Sequence, residues 1–299
     1  MALNRYGALL GMSTLLVLAG CGGNPADLTQ PPSLASQVPT DWQVVMHRFE
    51  EGALISASSP RGDDDTVSDV SSRRLLVFIE GDGRAWLTRS KPSQNPTPRN
   101  PLALELALSS ATGGPVIYLS RPCQFDAWSW PGCDPNVWTA ARYGPQNLTA
   151  MSQAIDRLKA ADDELILVGY SGGGVMATLL AATRNDVFAL LTVAANLDVA
   201  AWTRHHKVSP LAESLEPLDY ASVLAGQLQV HLVGERDAIV PPEVLGGYLD
   251  AVGLEVDGYT ISKSDFDHYC CWVDDWDALY ARALELIEHQ ITAVDEIRR

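Results

Sequence analysis

The chain has 299 residues, of which 37 are acidic and 21 are basic, so its formal net charge is −16 at pH 7. A chain of this length can bury one large hydrophobic core or two modest ones. The negative charge argues against nucleic acid and anionic membrane surfaces as partners, because both repel an acidic protein.

The first 20 residues are predicted to be an export signal. Arg5 supplies a positive charge, and the apolar run that follows over residues 8–19 is too short to span a membrane as a mature helix. The run ends in Leu18-Ala19-Gly20-Cys21, which resembles the lipobox of bacterial lipoproteins. The resemblance implies cleavage before Cys21 and lipidation of that cysteine. The alternative is a plain signal peptide cut near Ala19.

The lipobox resemblance also implies a location. A chain with a palmitate-bearing Cys21 is attached to the bacterial cell envelope, and Gly22 at the next position favours the outer membrane, facing the periplasm. Residues 21–40 are rich in Gly, Pro, Ser and Gln and poor in apolar residues, which predicts a flexible tether. The folded domain is therefore expected at residues 41–299, held near a membrane through its lipid anchor.

Apolar, β-rich runs alternate with helix-like segments from residue 42 onwards. Strands are predicted at residues 42–49, 53–58, 74–83, 115–122, 164–170, 187–195, 227–234 and 258–263, and helices at 101–110, 144–161, 172–183, 243–252 and 276–291. The first two strands are expected to pair antiparallel, and residues 196–224 form a less regular insertion. Short apolar strands separated by helices predict an α/β fold with a mostly parallel sheet and helices on both faces.

Four cysteines remain after Cys21, in a part of the chain that export would expose to an oxidising compartment. Cys123 and Cys133 bracket a short loop rich in Trp and Pro, and we expect a disulfide between them. Cys270 and Cys271 are adjacent and could bridge each other, stay free or pair with the first two, since spacing does not determine connectivity. Neither pair has the Cys-x-x-Cys spacing of a zinc site, and no metal or other cofactor is expected.

The clearest functional signal is Gly169-Tyr170-Ser171-Gly172-Gly173, between a predicted strand and a predicted helix. A Gly-x-Ser-x-Gly pattern in this context is typical of a nucleophile elbow, in which the serine projects from a tight turn. The glycines leave room for the turn, and the helix N-terminus directs free N–H groups towards the hydroxyl. The alternatives are a turn in which the serine only caps the helix and a turn that binds phosphate.

A serine needs a base and an orienting carboxylate to act as a nucleophile. Asp237 follows the strand predicted at 227–234, at the sheet edge where sites of open α/β proteins gather, and Glu235 is its nearest competitor. Of the six histidines, only His268 falls between the last predicted strand and the last predicted helix. The chain order Ser171, Asp237, His268 is that of a known group of hydrolases, while a helix-capping role is the alternative for Asp237.

On these residues the chain resembles the α/β-hydrolase superfamily over nearly all of residues 42–299. The resemblance implies a mostly parallel sheet of about eight strands, with the nucleophile Ser171 after the fifth strand. It also implies an oxyanion hole formed by the N–H of Gly172 and a second N–H from the loop after the third strand. Asp82 is the first choice for that second donor, and Gly83 is the alternative.

Two features near the expected site leave alternatives open. Glu80 stands where the superfamily usually has histidine, and its charge is unfavourable beside an oxyanion unless it points away or pairs with Arg84 or Arg121. The loop at residues 121–144 contains three tryptophans that either line a pocket or pack around the expected disulfide: Trp128, Trp130 and Trp138. The insertion at 196–224 is a candidate lid.

The resemblance implies a serine hydrolase of the carboxylesterase or lipase type, which cleaves esters through a Ser-His-Asp triad and an acyl-enzyme. Its expected partner is a small-molecule ester or acyl substrate. An amidase or peptidase on the same fold is an alternative, because the fold hosts several chemistries. A non-catalytic envelope lipoprotein that uses the fold for binding is another.

Overall fold

The computed structural model describes residues 32–50, 52–61, 74–111 and 114–297. The predicted signal peptide, Cys21 and the first part of the predicted tether lie outside the described residues. Within the ranges given, no helix combines the length and the apolar character that crossing a membrane requires.

An eight-stranded sheet forms the centre of the domain. The described residues contain the strands β1 Gln43–Phe49, β2 Gly52–Ser58, β3 Arg74–Ile79, β4 Trp86–Thr88, β5 Lys91–Pro92, β6 Val116–Leu119, β7 Glu164–Tyr170, β8 Val187–Val193, β9 Gln229–Gly234 and β10 Thr260–Lys263. The strand order in the large sheet is β1-β2-β6-β3-β7-β8-β9-β10, and β4 pairs only with β5. The pairs β1–β2 and β2–β6 are antiparallel and all other neighbours in the large sheet are parallel. The sequence predicts the antiparallel β1–β2 pair and a mostly parallel sheet, but it does not predict the pairing of β2 with β6.

Helices cover both faces of this sheet. They are α1 Leu102–Ser110, α2 Pro145–Leu158, α3 Gly172–Thr183, α4 Val199–His206, α5 Ala221–Leu224, α6 Pro242–Val252, α7 Val256–Tyr259 and α8 Trp276–Ile297. Helices α1 and α8 pack on the face that contains Phe78, while α2, α3 and α6 pack on the face that contains Val77. Adjacent residues of β3 thus enter two separate cores, because successive side chains of a strand point to opposite faces.

Strand β7 shows why the sequences of the central strands are continuous apolar runs. Its residues 165–170 are all buried. A parallel strand with helices on both faces has no solvent-facing side, so it shows no alternation of polar and apolar residues. The same burial explains why the sequence identifies β7 and α3 at their observed bounds.

The sequence is less informative about the elements outside this sheet. The β4–β5 hairpin was not predicted, because β4 is exposed along its whole length and lacks an apolar face. The strand predicted at 258–263 is shorter than expected, since α7 occupies its first residues and β10 begins at Thr260. The predicted insertion contains α4 and α5.

The folded domain begins before residue 41, which corrects the expected boundary. Leu34 is fully buried, and its N–H donates to Oδ2 of Asp126 at 3.3 Å. Residues 34–36 form a 3-10 turn, and Val38 packs against the same core. Composition predicts a flexible tether here because the segment is polar and rich in proline. It does not detect that one buried leucine anchors the segment to the core.

Both cysteine pairs are bonded in the structure. Cys123 and Cys133 form a disulfide with their Cα atoms 5.6 Å apart, within the range for an ordinary bridge. Cys270 and Cys271 are bonded to each other, which is one of the three alternatives that the sequence allows.

The parallel strands bring several loops to one edge of the sheet. Strands β3, β7, β9 and β10 run in the same direction, so the segments that follow them leave the sheet at the same edge. Residues 80–83, Ser171, Asp237 and His268 all lie in these segments. The topology therefore gathers them although they are far apart in sequence.

Truncation of Leu34 tests the revised domain boundary. We expect Leu34→Ala to lower the free energy of unfolding by about 2–5 kcal/mol, because the change removes buried methyl groups and leaves a cavity. Urea denaturation followed by tryptophan fluorescence measures the loss. The control Val256→Ala changes a side chain that is 57% exposed and should stay within about 0.5 kcal/mol of wild type. A Leu34→Ala chain as stable as wild type would contradict the new boundary.

Candidate active site

The chain passes from β7 to α3 through a single residue, Ser171. This serine has φ 52° and ψ −125°, a conformation that residues with a β-carbon rarely adopt. Holding a residue there costs about 1–3 kcal/mol, so the surrounding structure must enforce it. The N–H of Ser171 donates to the carbonyl of Val193 at 2.9 Å and ties the turn to the end of β8.

Gly169 and Gly173 make this turn possible. A β-carbon at Gly169 would lie 2.5 Å from the carbonyl oxygen of Gly173, and one at Gly173 would collide with the carbonyl oxygens of Ile79 and Glu80. These obstacles are backbone atoms that cannot rotate away. Glycine is therefore required on both sides of Ser171.

The structure brings Ser171, His268 and Asp237 into contact. Nε2 of His268 lies 3.1 Å from Oγ of Ser171, and Nδ1 lies 2.7 Å from Oδ2 of Asp237. Both distances are those of hydrogen bonds. An imidazole held in this way can take the proton of the serine hydroxyl, and the carboxylate stabilises the positive charge that results.

The two oxygens of Asp237 have different partners. Oδ2 faces His268, while Oδ1 accepts the N–H groups of Ile239 and Val240 at 2.8 and 2.7 Å. The Asp237 side chain is fully buried. This carboxylate therefore stabilises its own loop and also holds the imidazole. The orienting role and the capping role considered for Asp237 are thus combined in one side chain. The competing carboxylate, Glu235, is exposed and contacts β10.

Tyr170 positions the histidine, a role that the sequence did not indicate. Its hydroxyl donates to the carbonyl oxygen of His268 at 3.0 Å, and the two rings lie 5.2 Å apart. The contact fastens the loop that carries the imidazole to the end of β7. Because Tyr170 is the variable residue of Gly-x-Ser-x-Gly, the pattern itself does not draw attention to it.

The loop after β3 lies against the serine turn. A β-carbon at Gly81 would be 3.4 Å from Cβ of Ser171, and a β-carbon at Gly172 would collide with the carboxylate of Asp82. Within the described part of the chain, the N–H groups of Gly172, Asp82 and Gly83 have no hydrogen-bond partner. The predicted oxyanion donors thus remain available to a ligand beside Ser171.

Asp82 is the centre of a buried ion-pair network. Oδ1 accepts from Arg121 at 3.0 Å, and Oδ2 accepts from Arg142 at 2.7 Å and from the hydroxyl of Tyr143 at 2.8 Å. Arg121 also donates to the carbonyl of Gly172 at 3.1 Å, which links the loop after β3 to the first turn of α3. Burial acts to raise the pKa of the Asp82 carboxyl, but the charges of Arg142 and Arg121 outweigh it and hold the pKa below its ordinary value.

Glu80 pairs with neither Arg84 nor Arg121 in the described part of the chain. Its Oε2 accepts from the hydroxyl of Tyr118 and its Oε1 from the N–H of Gly81, both at 3.0 Å. Burial raises the pKa of Glu80 to about 7, against the opposing effect of these hydrogen bonds. Glu80 is therefore only partly ionised at neutral pH, which reduces the negative charge beside the serine turn.

A cavity of about 520 Å³ opens over Ser171 and His268. Its aromatic lining consists of Trp86, Tyr170, Trp202 and Tyr269. Trp202 belongs to the predicted insertion, and its Nε1 donates to the carbonyl of Ile239 at 2.7 Å, so the insertion forms a wall of the cavity. Within the described residues, no group of three or more His, Cys, Asp or Glu side chains is placed to hold a metal ion.

The tryptophans of the 121–144 loop lie elsewhere. Trp138 packs against Cys123 and Ala85 near the disulfide, and Arg48 stacks on the ring of Trp130. For Trp138, packing around the disulfide is therefore the correct alternative.

A second cleft of about 460 Å³ adjoins the first. The two share Trp86, Arg142 and Trp202 as common walls. The apolar residues that line the second cleft but not the first are Leu87, Ala140, Val208, Pro210 and Leu211. A ligand bound at Ser171 thus has apolar surface next to it.

Comparison with solved structures identifies the fold that carries this site. The chain is similar to an α/β serine hydrolase without a lid from Xanthomonas campestris, at 16% identity and a TM-score of 0.52, with 85% of this chain and 96% of that chain covered. It is also similar to an esterase from Pyrococcus furiosus, at 11% identity and a TM-score of 0.58, with 87% and 97% covered. The chain has the α/β-hydrolase fold. In this fold β7, which precedes Ser171, is the fifth strand of the large sheet in chain order.

A third similar structure is an acylaminoacyl peptidase from Pyrococcus horikoshii, at 12% identity and a TM-score of 0.55. The match covers 78% of this chain but only 38% of the peptidase. No protein-family model and no curated protein sequence matches the chain. At these identities the likeness concerns the α/β-hydrolase fold, and the chemistry has to be argued from the site.

Replacement of Asp82 tests the ion-pair network. At pH 7 we expect Asp82→Asn to lower the free energy of unfolding by about 3–5 kcal/mol, because Arg121 and Arg142 are left without their buried counter-charge. The pKa of Asp82 is lower in the folded than in the unfolded chain, so its stabilising effect is present above the unfolded pKa of about 3.9 and is lost as the pH falls through the folded pKa.

Urea denaturation of wild type and Asp82→Asn between pH 7 and pH 3 measures this dependence. The difference between the two chains should shrink below about pH 4. Asp265→Asn, at an exposed carboxylate, is the control and should differ from wild type by less than about 0.5 kcal/mol at pH 7. A difference for Asp82→Asn that stays constant down to pH 3 would refute the ion-pair explanation.

Proposed function

We propose that this protein is a serine hydrolase that cleaves carboxylic esters. The observation that carries the proposal is the contact chain from Ser171 Oγ through the imidazole of His268 to Oδ2 of Asp237, with distances of 3.1 and 2.7 Å. Two further features support it: the positive φ of Ser171 and the unoccupied N–H groups beside it in the described chain. A serine that only capped α3 would not require this conformation.

In the proposed mechanism Ser171 is the nucleophile. Its Oγ attacks the carbonyl carbon of the ester while Nε2 of His268 takes the hydroxyl proton. Asp237 accepts the hydrogen bond of the Nδ1–H, which keeps Nε2 free for that proton and stabilises the imidazolium. His268 then returns the proton to the departing alcohol, and the acyl group stays on Ser171.

The negative charge that develops on the carbonyl oxygen needs hydrogen-bond donors. We assign this role to the N–H groups of Gly172 and Asp82, with Gly83 as the alternative to Asp82. The ion pairs from Asp82 to Arg121 and Arg142 support the assignment, because they fix the loop beside the start of α3. His268 then takes a proton from a water molecule, whose oxygen attacks the acyl carbon. The bond from that carbon to Oγ breaks as His268 returns the proton to Ser171, and the acid is released.

An amidase or peptidase is the second candidate, and the likeness to acylaminoacyl peptidase is the observation that favours it. The apolar cleft that adjoins the cavity over Ser171 provides a surface for an alkyl or aryl group of the substrate in either case. A purely binding role is less consistent with the contacts of His268, whose two ring nitrogens both have partners suited to proton transfer.

The proposal also includes a place for the enzyme. We propose that the mature chain is anchored in the outer membrane of a bacterial envelope by lipid on Cys21, with the domain facing the periplasm. The support is the sequence Leu18-Ala19-Gly20-Cys21. Cell fractionation of the Cys21→Ser chain tests this, because loss of the lipid should move the protein out of the membrane fraction.

Kinetics with matched chromogenic substrates test the proposed activity. We expect kcat/KM for 4-nitrophenyl butyrate to exceed that for the corresponding 4-nitroanilide by about tenfold or more, because the phenolate is the better leaving group and the site is proposed to act on esters. Ser171→Ala should lower kcat for the ester by about 10⁴-fold or more.

Ser262→Ala is the matched control. Ser262 lies on β10, outside the cavity, and its hydroxyl contacts Glu235. This variant should retain the activity of the wild type. Full ester hydrolysis by Ser171→Ala would refute the mechanism, and a preference for the anilide would favour the amidase.

A further inference from the structure

The segment between residues 84 and 100 has an unusual charge for this protein. It contains four basic residues and no acidic residue, in a chain with 37 acidic and 21 basic side chains. The four are Arg84, Arg89, Lys91 and Arg99. The segment includes the β4–β5 hairpin, and it forms one wall of the cavity over Ser171.

Two of these residues, Arg84 and Arg99, line that cavity together with Ser171 and His268. Within the described residues, neither arginine has an ion pair with a carboxylate. This contrasts with Arg142, which lines the same cavity and is paired with Asp82 at 2.7 Å. An arginine without a protein counter-charge beside a reactive serine is available to a ligand.

The base of the hairpin holds the two arginines near each other. The N–H of Arg84 donates to the carbonyl of Pro96 at 2.8 Å, and the N–H of Ser93 donates to the carbonyl of Ala85 at 2.9 Å. Arg99 follows Pro96 by three residues. The backbone hydrogen bond thus ties Arg84 to the segment that leads into Arg99, and both residues line the cavity over Ser171.

The carboxylates in the same cavity do not neutralise these arginines. Asp82 is already matched by Arg121 and Arg142. Burial raises the pKa of Glu80 to about 7, so this group carries only part of a negative charge at neutral pH. The cavity thus has an excess of positive charge, although the whole chain is strongly negative.

We propose that Arg84 and Arg99 bind a carboxylate or phosphate group of the substrate, so that the preferred substrates are esters with a negative charge near the scissile bond. A guanidinium group suits this task because its parallel N–H groups match the oxygens of such anions. This inference rests on the proposed function for its catalytic step. The specificity comes from the arginines and is separate from the reactivity of Ser171.

Two pairs of esters test the inference at 150 mM salt, where charges farther apart than about 8 Å are largely screened. Mono-4-nitrophenyl adipate and 4-nitrophenyl hexanoate differ by a charge on the acyl side, and 4-acetoxybenzoate and its methyl ester differ by a charge on the alcohol side. In wild type, kcat/KM should be about tenfold higher for the charged member of at least one pair. In Arg84→Gln/Arg99→Gln this ratio should fall by about tenfold.

The matched control is Lys91→Gln/Lys207→Gln, which removes two exposed positive charges at residues that line neither the cavity over Ser171 nor the second cleft. Its charged-to-neutral ratio should stay within about twofold of wild type. Competition by free adipate and by inorganic phosphate distinguishes a site for carboxylate from one for phosphate. An unchanged ratio in Arg84→Gln/Arg99→Gln for both ester pairs would overturn the inference, and so would an equal loss in the control.

A binding measurement separates the inference from the proposed function. In Ser171→Ala, calorimetry with the amide analogues of both ester pairs gives the preference for the charged member without any turnover. These are N-phenyladipamic acid against N-phenylhexanamide, and 4-acetamidobenzoate against its methyl ester. Adding Arg84→Gln/Arg99→Gln should reduce that preference by about tenfold. A charge preference that depends on these arginines in a protein without ester hydrolysis would refute the proposed function alone. No preference in Ser171→Ala would refute the anion site.

Discussion

The candidate site depends on a tight backbone turn at Ser171, in a conformation that L-amino acids rarely adopt. Ser171 adopts φ 52° between β7 and α3, and the turn closes only because Gly169 and Gly173 lack β-carbons. Two features hold Ser171 in this conformation: the hydrogen bond from its N–H to the carbonyl of Val193, and helix α3, which begins at the next residue. The hydroxyl therefore points away from the sheet at a fixed position, where His268 reaches it from a loop 97 residues further along.

A second constraint is the ion-pair network of Asp82. Its carboxylate joins the loop after β3 to Arg121 and Arg142 and, through Arg121, to the first turn of α3. The network holds the backbone N–H groups of Gly172 and Asp82 next to Ser171. The two arginines also neutralise the negative charge of the Asp82 carboxylate. Arg84 and Arg99, which have no carboxylate partner in the described part of the chain, give the cavity a positive charge, opposite in sign to the net charge of the whole chain.

Local patterns predicted most of the fold, and they singled out three residues that the structure brings into contact. β7, α3 and the other sheet strands are long apolar runs bounded by turn residues, and Ser171, Asp237 and His268 each lie just beyond a strand of such a sheet. The supporting residues escaped prediction because their partners are distant: Arg142 is 60 residues from Asp82, and Tyr170 contacts His268 across 98 residues. The exposed β4 has no apolar face, and Leu34 is a single anchor in a polar segment, so neither produced a periodic signal.

Labelling with a serine-reactive fluorophosphonate, followed by peptide mass spectrometry, tests the central claim most directly. We expect modification at Ser171 in wild type, and a labelling rate about 10²–10⁴-fold lower in His268→Ala, because the imidazole no longer removes the hydroxyl proton. Modification at a different residue, or the same labelling rate at Ser171 with and without the imidazole of His268, would contradict it.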